Sequence, residues 1–266
     1  MEKLIGSPLR SMTERKPVSY EDVTLTPEEE RHALHAAKIV KAQSINLSQY
    51  RDRMTEKVRY PVYTAQELYE LKIRQANEML SDKGIEFIVD DFNREIIQEM
   101  CFYFTSDCRC KWNLNKGIML YGNTGSGKTF LMEMFAVNPR LTYRVFHVLQ
   151  DVQSRAMQDG DEGLEPFTRL LNNTAFYTEF GQHQCGAMFD DLGTEDRSVT
   201  YFGTTQNVMR NIIERRYQNV PIAATHFTTN LTTEQIEERY GARVRSRLRE
   251  MVNLIEFNPK APDRRK

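Results

Sequence analysis

The sequence contains the run Gly122-Asn123-Thr124-Gly125-Ser126-Gly127-Lys128-Thr129, which matches the pattern G-x-x-x-x-G-K-[ST]. A short apolar segment, residues 116–121, precedes the run and an apolar helical segment follows it, which is the strand–loop–helix context that the pattern requires. Glycines allow backbone N–H groups to turn toward a polyphosphate, and a helix N-terminus adds partial positive charge. We therefore expect residues 122–129 to bind a nucleoside triphosphate. Lys128 would reach its β- and γ-phosphates, and Thr129 would ligate Mg²⁺.

The rest of the chain after residue 85 alternates between two kinds of segment. Short apolar runs alternate with helical segments, and we predict strands at residues 116–121, 143–148, 186–191, 221–227 and 252–257. This alternation is typical of a mostly parallel sheet with helices on both faces. We therefore predict a three-layer α/β domain over residues 86–266.

Polar side chains follow two of the predicted strands. The apolar run that begins at Cys185 ends in Asp190 and Asp191, and the run that begins at Pro221 ends in Asn230. A carboxylate at a strand end that faces a phosphate loop suits a second Mg²⁺ contact, so we assign Asp190 to the Mg²⁺ site and Asp191 to polarising the attacking water. Asn230 would touch the γ-phosphate or orient the water. It lies beside Thr232, which opens the next helix with a capping box.

Arginines are concentrated in the predicted helix at residues 234–251, which Gly241 is expected to divide. Arg243 and Arg247 share one face, and Arg245 and Arg249 share another. One face suits a finger for the γ-phosphate of a neighbouring subunit, because a guanidinium is planar and always charged. The other suits DNA phosphates or acidic residues, and a plain solvated basic helix is the alternative. Near the chain end, Arg264 or Arg265 is a candidate for contacting the nucleotide of its own subunit.

The N-terminal part of the chain differs from this domain. Residues 1–25 show no period, and we predict a mobile tail. Residues 26–85 are predicted to be helical, because Thr26 and Thr64 each begin a capping-box pattern. This charged region is either a docking module for a partner or an extension that packs on the main domain.

Composition excludes several classes of protein. Lys plus Arg number 36 and Asp plus Glu 37, so a formal charge of −1 gives no general affinity for nucleic acid. The 40% apolar content is too high for a wholly disordered chain. No stretch approaches 18 consecutive apolar residues, and the N-terminus lacks the apolar run of a secretory signal. Because four cysteines do not form a disulfide framework, we expect a reduced, cytoplasmic protein with no membrane segment.

The order of the motifs resembles the DnaC/IstB group of AAA+ ATPases, and most closely the DnaC-like replicative helicase loaders. The resemblance covers residues 85–260. The phosphate loop is generic, whereas the segment Tyr240-Gly241-Ala242-Arg243-Val244-Arg245-Ser246-Arg247-Leu248 is the more specific part. The guanine-reading Asn-Lys-x-Asp motif and the Leu-Ser-Gly-Gly-Gln motif of transporter ATPases are both absent from the sequence.

The resemblance implies a function and a set of roles. It implies an ATP- and Mg²⁺-dependent loader, with slow, DNA-stimulated hydrolysis, that delivers a hexameric replicative helicase onto single-stranded DNA. The N-terminal region would grip the helicase, and the AAA+ domain would self-assemble with ATP. By motif, Lys128 and Thr129 are the Walker A pair, Asp190 and Asp191 the Walker B pair, and Asn230 sensor 1. Arg247 is the first choice of arginine finger and Arg243 the second, and the second sensor falls near Arg264.

Two other functions fit the same motifs. An IstB-type transposition accessory ATPase would bind duplex DNA and stimulate a transposase. A non-catalytic nucleotide switch would act only as a scaffold. Neighbouring genes distinguish the first from a loader, and measured turnover that disappears in Asp191→Asn would exclude the second.

Overall fold

Five parallel strands form the central sheet of the computed structural model, which describes residues 19–55, 62–172, 180–201 and 203–265. Their order across the sheet is β2-β4-β7-β1-β8, and β3 pairs antiparallel with β4. A separate antiparallel hairpin joins β5 and β6. The strands are β1 Gly117–Tyr121, β2 Tyr143–His147, β3 Leu171–Asn172, β4 Gln184–Leu192, β5 Val199–Tyr201, β6 Thr204–Gln206, β7 Thr225–Thr229 and β8 Val252–Glu256.

Alternating side chains divide the core into two layers. In β1, Ile118 and Leu120 belong to one apolar cluster and Met119 to the other. In β4, Met188 joins the first cluster and Phe189 the second. Successive strand residues point to opposite faces, so both faces of the sheet are buried under helices. The predicted three-layer α/β architecture is confirmed.

Each helical layer belongs to one face of the sheet. Helices α2, α3 and α4 supply the cluster that contains Ile118, whereas α5 to α8 supply the cluster that contains Met119. A π-helical segment, Val148–Gln153, leads into α5. The helices are α1 Pro27–Thr55, α2 Ala65–Leu80, α3 Arg94–Phe104, α4 Lys128–Met134, α5 Ser154–Asp159, α6 Val208–Asn219, α7 Thr233–Tyr240 and α8 Ala242–Met251.

The chain divides into two compact units, Met1–Val58 and Arg59–Lys266. This boundary lies upstream of the expected one at residue 85, because α2 packs against α3 and α4. Leu68 and Ala76 of α2 are fully buried there, so α2 is part of the second unit.

The first unit contains α1, which begins at Pro27 as its capping pattern predicts. The Thr26 backbone N–H donates to Glu29 Oε2 at 2.8 Å. The described side chains of α1, residues 27–46, are exposed, and they include Leu34, Ile39 and Val40. Of the predicted mobile tail, residues 1–18 lie outside the described part of the chain. None of the helices in the described ranges is long and apolar enough to span a membrane.

One predicted strand differs in detail from the structure. The strand predicted at 221–227 begins only at Thr225, since a 3-10 turn occupies Ile222–Ala224. The helix predicted at 234–251 is divided at Gly241 as expected, because Gly241 adopts φ +89° between α7 and α8. Few residues other than glycine reach that conformation at low cost, so the chain turns there.

Candidate nucleotide-binding site

The phosphate loop connects the buried strand β1 to α4 and is shaped by its glycines. Gly125 has φ +81° and Gly127 has φ +98°. A Cβ atom on Gly125 would lie 2.1 Å from Asp263 Oδ1, so the Asp263 side chain would have to shift, and the positive φ is itself unfavourable for any residue with a side chain. The loop therefore keeps its backbone open toward the cavity in front of it.

Lys128 lies under the loop and is 5% exposed. Its Nζ donates to the carbonyl oxygens of Gly122 at 2.9 Å and Asn123 at 2.8 Å, and to Asn230 Oδ1 at 2.8 Å. Burial lowers the pKa of Lys128, and the carboxylates of Asp191 and Asp190 oppose that shift. The ammonium is thus held by protein oxygens at the position from which it would reach phosphate oxygens.

Asp190 is buried at the end of β4 and accepts hydrogen bonds from neighbouring elements. Its Oδ1 accepts from Thr129 Oγ1 at 2.8 Å and from Thr228 Oγ1 at 2.6 Å. Its Oδ2 lies 3.0 Å from His147 Nδ1. His147 ends β2 and pairs in register with Asp190, so the parallel sheet itself brings the two side chains together.

Asp191 faces the cavity from a strained turn. Its backbone φ is +55°, which is uncommon for a residue other than glycine. The Asp191 N–H donates to Thr228 Oγ1 at 2.8 Å, and its carbonyl accepts from the Thr194 N–H at 3.1 Å. Burial raises the pKa of the Asp191 carboxyl, and the neighbouring Asp190 raises it further. The arrangement suits a carboxylate that accepts a proton or orients water.

A cavity of about 570 Å³ lies between these groups and an apolar wall, which consists of Leu80, Ile85, Phe87, Ile88 and Phe130. The polar end carries residues 124–129, Asp191 and Asn230. Phe87 and Phe130 stack at the apolar end, with ring centroids 5.3 Å apart. Leu80, Ile85 and Ile88 also line that end, and Ile85 and Ile88 remain 53% and 65% exposed. An apolar slot beside a phosphate loop fits the flat base of a nucleotide.

The C-terminal segment lies across the phosphate loop. The Arg264 N–H donates to Gly125 O at 2.9 Å, and Asn123 Nδ2 donates to Pro259 O at 3.0 Å. The Arg264 guanidinium pairs with Asp90 at 2.7 Å. Arg264 and Arg265 both line the cavity, and Arg265 is close enough to Asp191 to oppose the rise in its pKa, which burial chiefly causes.

The two candidate fingers on α8 have different surroundings. The Arg247 side chain is 11% exposed, lies 3.3 Å from Glu214 Oε1 and packs over the Tyr217 ring. The Arg243 side chain is 66% exposed and reaches Glu214 only at 3.9 Å. Neither arginine lines the cavity of its own chain. A side chain that is buried and paired is poorly placed to enter a neighbouring subunit, whereas the exposed side chain of Arg243 is free of that constraint.

Several residues around the site were not predicted from the sequence. His147 was passed over because a single histidine at a strand end is unremarkable, although strand-end position is the signal that would have found it. Thr228 stood in the segment before Asn230 but had no assigned role. Asp90 and the residues of the apolar wall belong to no sequence motif. They lie near the phosphate loop only because of how α2 and α3 pack.

The residues present fit Mg²⁺ and a nucleoside triphosphate. Hydroxyl and carboxylate oxygens, which Mg²⁺ prefers, converge at Thr129 and Asp190. Among the described residues, the buried cation of Lys128 has only neutral oxygens as its hydrogen-bond acceptors, so an anionic phosphate oxygen would bind it more strongly. Cavity, loop and acidic pair thus form one continuous site.

Comparisons with known proteins give a likeness of fold. No protein-family model matches the chain, and no curated protein matches it. Among solved structures, a crystal structure of the DnaC helicase loader is similar, with a TM-score of 0.44 and 20% sequence identity. The match covers 65% of this chain and 93% of that one. At this identity and score the likeness does not extend to function, for which the geometry of the site and the motifs are the evidence.

Proposed function

We propose that this chain binds ATP with Mg²⁺ and hydrolyses it. The observation that carries the proposal is the convergence of Lys128, the Thr129–Asp190 pair and Asp191 at one end of a cavity whose other end is apolar. Lys128 and Thr129 begin α4 after β1, the acidic pair lies near the end of β4, and Asn230 follows β7. β7 lies between β1 and β4 in the sheet. Ligands of open α/β sheets bind at this edge, beyond the carboxyl ends of the strands.

Each side chain has a role that follows from its position. Lys128 would exchange its hydrogen bonds to neutral oxygens for phosphate oxygens, and Asn230, released from Lys128, would orient water or the terminal phosphate. Thr129 and Asp190 would hold Mg²⁺, which neutralises charge on the β- and γ-phosphates. Asp191 would accept a proton from, or orient, the attacking water. Thr228 and His147 would keep the Asp190 carboxylate in place.

Arginines complete the proposed catalytic set. We assign Arg243 as the finger that enters a neighbouring subunit, because it is exposed on α8, and we keep Arg247 as its internal support through Glu214. Arg265 is the candidate for contacting the phosphates in its own subunit, since it lines the cavity while the Arg264 guanidinium is engaged with Asp90.

Nucleotide titration and turnover test the proposal together. Wild type should bind a fluorescent ATP analogue with Mg²⁺, and Lys128→Ala should weaken binding by a factor of about 100 or more, since it removes a buried charged donor. Asp191→Asn should bind normally and lose turnover. Lys111→Ala, which changes a surface lysine, is the control. Normal ATP affinity in Lys128→Ala would contradict the site assignment, and normal turnover in Asp191→Asn would contradict its role.

We further propose that the ATPase acts as a loader of a hexameric replicative helicase onto single-stranded DNA. The support is the resemblance carried by residues 240–248 together with the acidic pair and Asn230. Exposed apolar side chains on α1, among them Leu34 and Val40, offer the N-terminal unit as the surface for the helicase. ATP would favour the assembled, DNA-bound state, and hydrolysis would release it.

Co-elution with the replicative helicase of the same host tests this finer proposal. The full chain should co-elute in the presence of ATP and Mg²⁺, and a chain lacking residues 1–58 should not. The deletion stops at residue 58 because α2 belongs to the core of the second unit. Absence of co-elution in every nucleotide state, with binding to duplex DNA, would favour the transposition-type ATPase and leave the nucleotide site standing.

A further inference from the structure

A buried carboxylate connects the acidic pair to the helices that carry the arginines. The Glu195 side chain is fully buried, four residues after Asp191. Its Oε2 accepts from the Gly193 N–H at 3.0 Å, so the carboxylate folds back on the turn that follows Asp191. Thr194 closes the same turn, because its N–H and hydroxyl both donate to the Asp191 carbonyl.

The second oxygen of this carboxylate contacts the end of α7. Glu195 Oε1 accepts from the Tyr240 hydroxyl at 2.5 Å and lies 3.6 Å from Arg239 Nε. The Arg239 guanidinium also donates to the Glu195 carbonyl. Arg239 and Tyr240 are the last residues of α7, and Gly241 then leads directly into α8 with Arg243 on its exposed side.

The presence of a charged residue, Glu195, at this buried position indicates a role beyond filling space. Burial of a carboxylate is costly, and a well-packed apolar group of similar size commonly stabilises a protein as well or better. Buried charged groups are best attested where they fix one arrangement out of several. Here the arrangement that is fixed is the position of α7 and α8 relative to the turn of Asp191, which has the strained φ of +55°.

We propose that Glu195 is a positioning residue through which the Asp191 turn sets the orientation of α8, so that occupancy of the nucleotide site is transmitted to Arg243. The proposal rests on the proposed ATPase function. A change at Asp191 moves Gly193 and with it the Glu195 carboxylate, and Tyr240 and Arg239 follow because both contact that carboxylate. An ion pair on the surface, between Arg197 and Glu238 at 2.9 Å, is a second link between the same loop and α7.

Hydrogen–deuterium exchange of the full chain, with and without a non-hydrolysable ATP analogue and Mg²⁺, tests the proposal. In wild type, amides of residues 242–251 should change their exchange rate by about fivefold or more when the analogue binds. Glu195→Gln removes the charge and Tyr240→Phe removes one hydrogen bond. Both should bind the analogue within about twofold of wild type and unfold cooperatively, yet show no nucleotide-dependent change in α8.

Tyr103→Phe is the matched control. Tyr103 is also buried, and its hydroxyl donates to the Lys116 carbonyl at 2.6 Å, away from the Asp191 turn. It should keep the wild-type response of α8. If Tyr240→Phe and Glu195→Gln respond like wild type, or if wild-type α8 does not respond although the analogue binds, the coupling is overturned. A wild type that fails to bind the analogue is a different result, because it overturns the proposed function and the coupling with it.

Discussion

The Thr129 hydroxyl donates to Asp190 Oδ1 across 2.8 Å, although the two residues lie 61 positions apart in the chain. One ends the phosphate loop and the other ends the strand that holds the acidic pair. β7 lies between β1 and β4 in the sheet, so the contact joins groups that follow two strands that are not direct neighbours. Thr129 lines the cavity, and the buried Asp190 carboxylate lies directly behind its hydroxyl, so two hard oxygen ligands are adjacent at this point.

Removal of the Thr129 hydroxyl should weaken Mg²⁺ binding. We expect Thr129→Ala to need about 10–100-fold more Mg²⁺ for half-maximal turnover, because one ligand is lost and Asp190 loses a donor. Thr129→Ser keeps the hydroxyl and should stay close to wild type. Turnover measured against Mg²⁺ concentration at saturating ATP checks this. Equal Mg²⁺ dependence in the Ala and Ser variants would contradict the assignment.

The apolar wall should contribute equally to all nucleotides that share a base. Ile88 is 65% exposed and borders the cavity, so a bound base would cover it. Ile88→Ser should weaken ATP and ADP binding by a similar factor of about 5–10 and leave turnover at saturation unchanged, since the contact is the same in ground and transition states. Ile45→Ser, at an exposed isoleucine of α1, is the control. A selective loss of ATP affinity would show that Ile88 acts at the phosphates instead.

Substitution of the two arginines of α8 should affect different properties of the protein, stability for Arg247 and activity for Arg243. Arg247→Ala should lower the free energy of unfolding by about 1–3 kcal/mol, because Glu214 loses its close partner in a mostly buried place. Arg243→Ala should leave stability unchanged and abolish the rise of specific activity with protein concentration, if Arg243 acts across a subunit boundary. Chemical denaturation and turnover over a range of protein concentrations check both. A stability loss in Arg243→Ala with unchanged activity would reverse the assignment.

His226 should make the fold sensitive to acid. It is buried in β7, and its Nδ1 accepts from the Ile118 N–H at 3.0 Å. Burial lowers the pKa of His226 to about 3 from an ordinary value of 6.5. Because the depressed pKa belongs to the folded state, only the unfolded chain takes up this proton as the pH falls below 6.5. The free energy of unfolding should therefore decrease by about 1.4 kcal/mol per pH unit from this group between pH 6 and pH 4.

The variant His226→Asn isolates that contribution. An asparagine keeps an acceptor near the Ile118 N–H but has no proton to gain. His226→Asn should be less stable than wild type at neutral pH. Between pH 6 and pH 4, its free energy of unfolding should fall less steeply as the pH decreases, and the difference in slope should correspond to the uptake of about one proton. Urea unfolding at several pH values gives both slopes. Parallel curves for the two proteins would show that His226 does not stay neutral in the folded chain.

The local pattern of residues was sufficient to predict the five parallel strands and the layers, but not the short strands β3, β5 and β6. The strands at 143–148 and 252–257 and the helix that begins after Thr64 are confirmed, since apolar period and capping residues act within a few positions of one another. The start of β7 was predicted too early because a run of apolar residues does not distinguish a 3-10 turn from a strand. The packing of α2, which lies upstream of residue 85, was not visible in the sequence, because its buried face depends on α3 and α4.

The amino-acid sequence was sufficient to propose a site at the phosphate loop, the acidic pair and Asn230, since each motif is a short run whose chemistry resides in adjacent residues. Only the tertiary structure decided which distant groups surround them. It brought His147 to Asp190 through strand register, Asp90 to Arg264 through chain packing, and Glu195 to Tyr240 across the core. In the folded chain Arg247 is buried and Arg243 is exposed, although both lie on the same face of α8 and their spacing in the sequence does not distinguish them. The physical reason is that burial and pairing depend on what a folded chain packs against each side chain, and that packing partner is remote in the sequence.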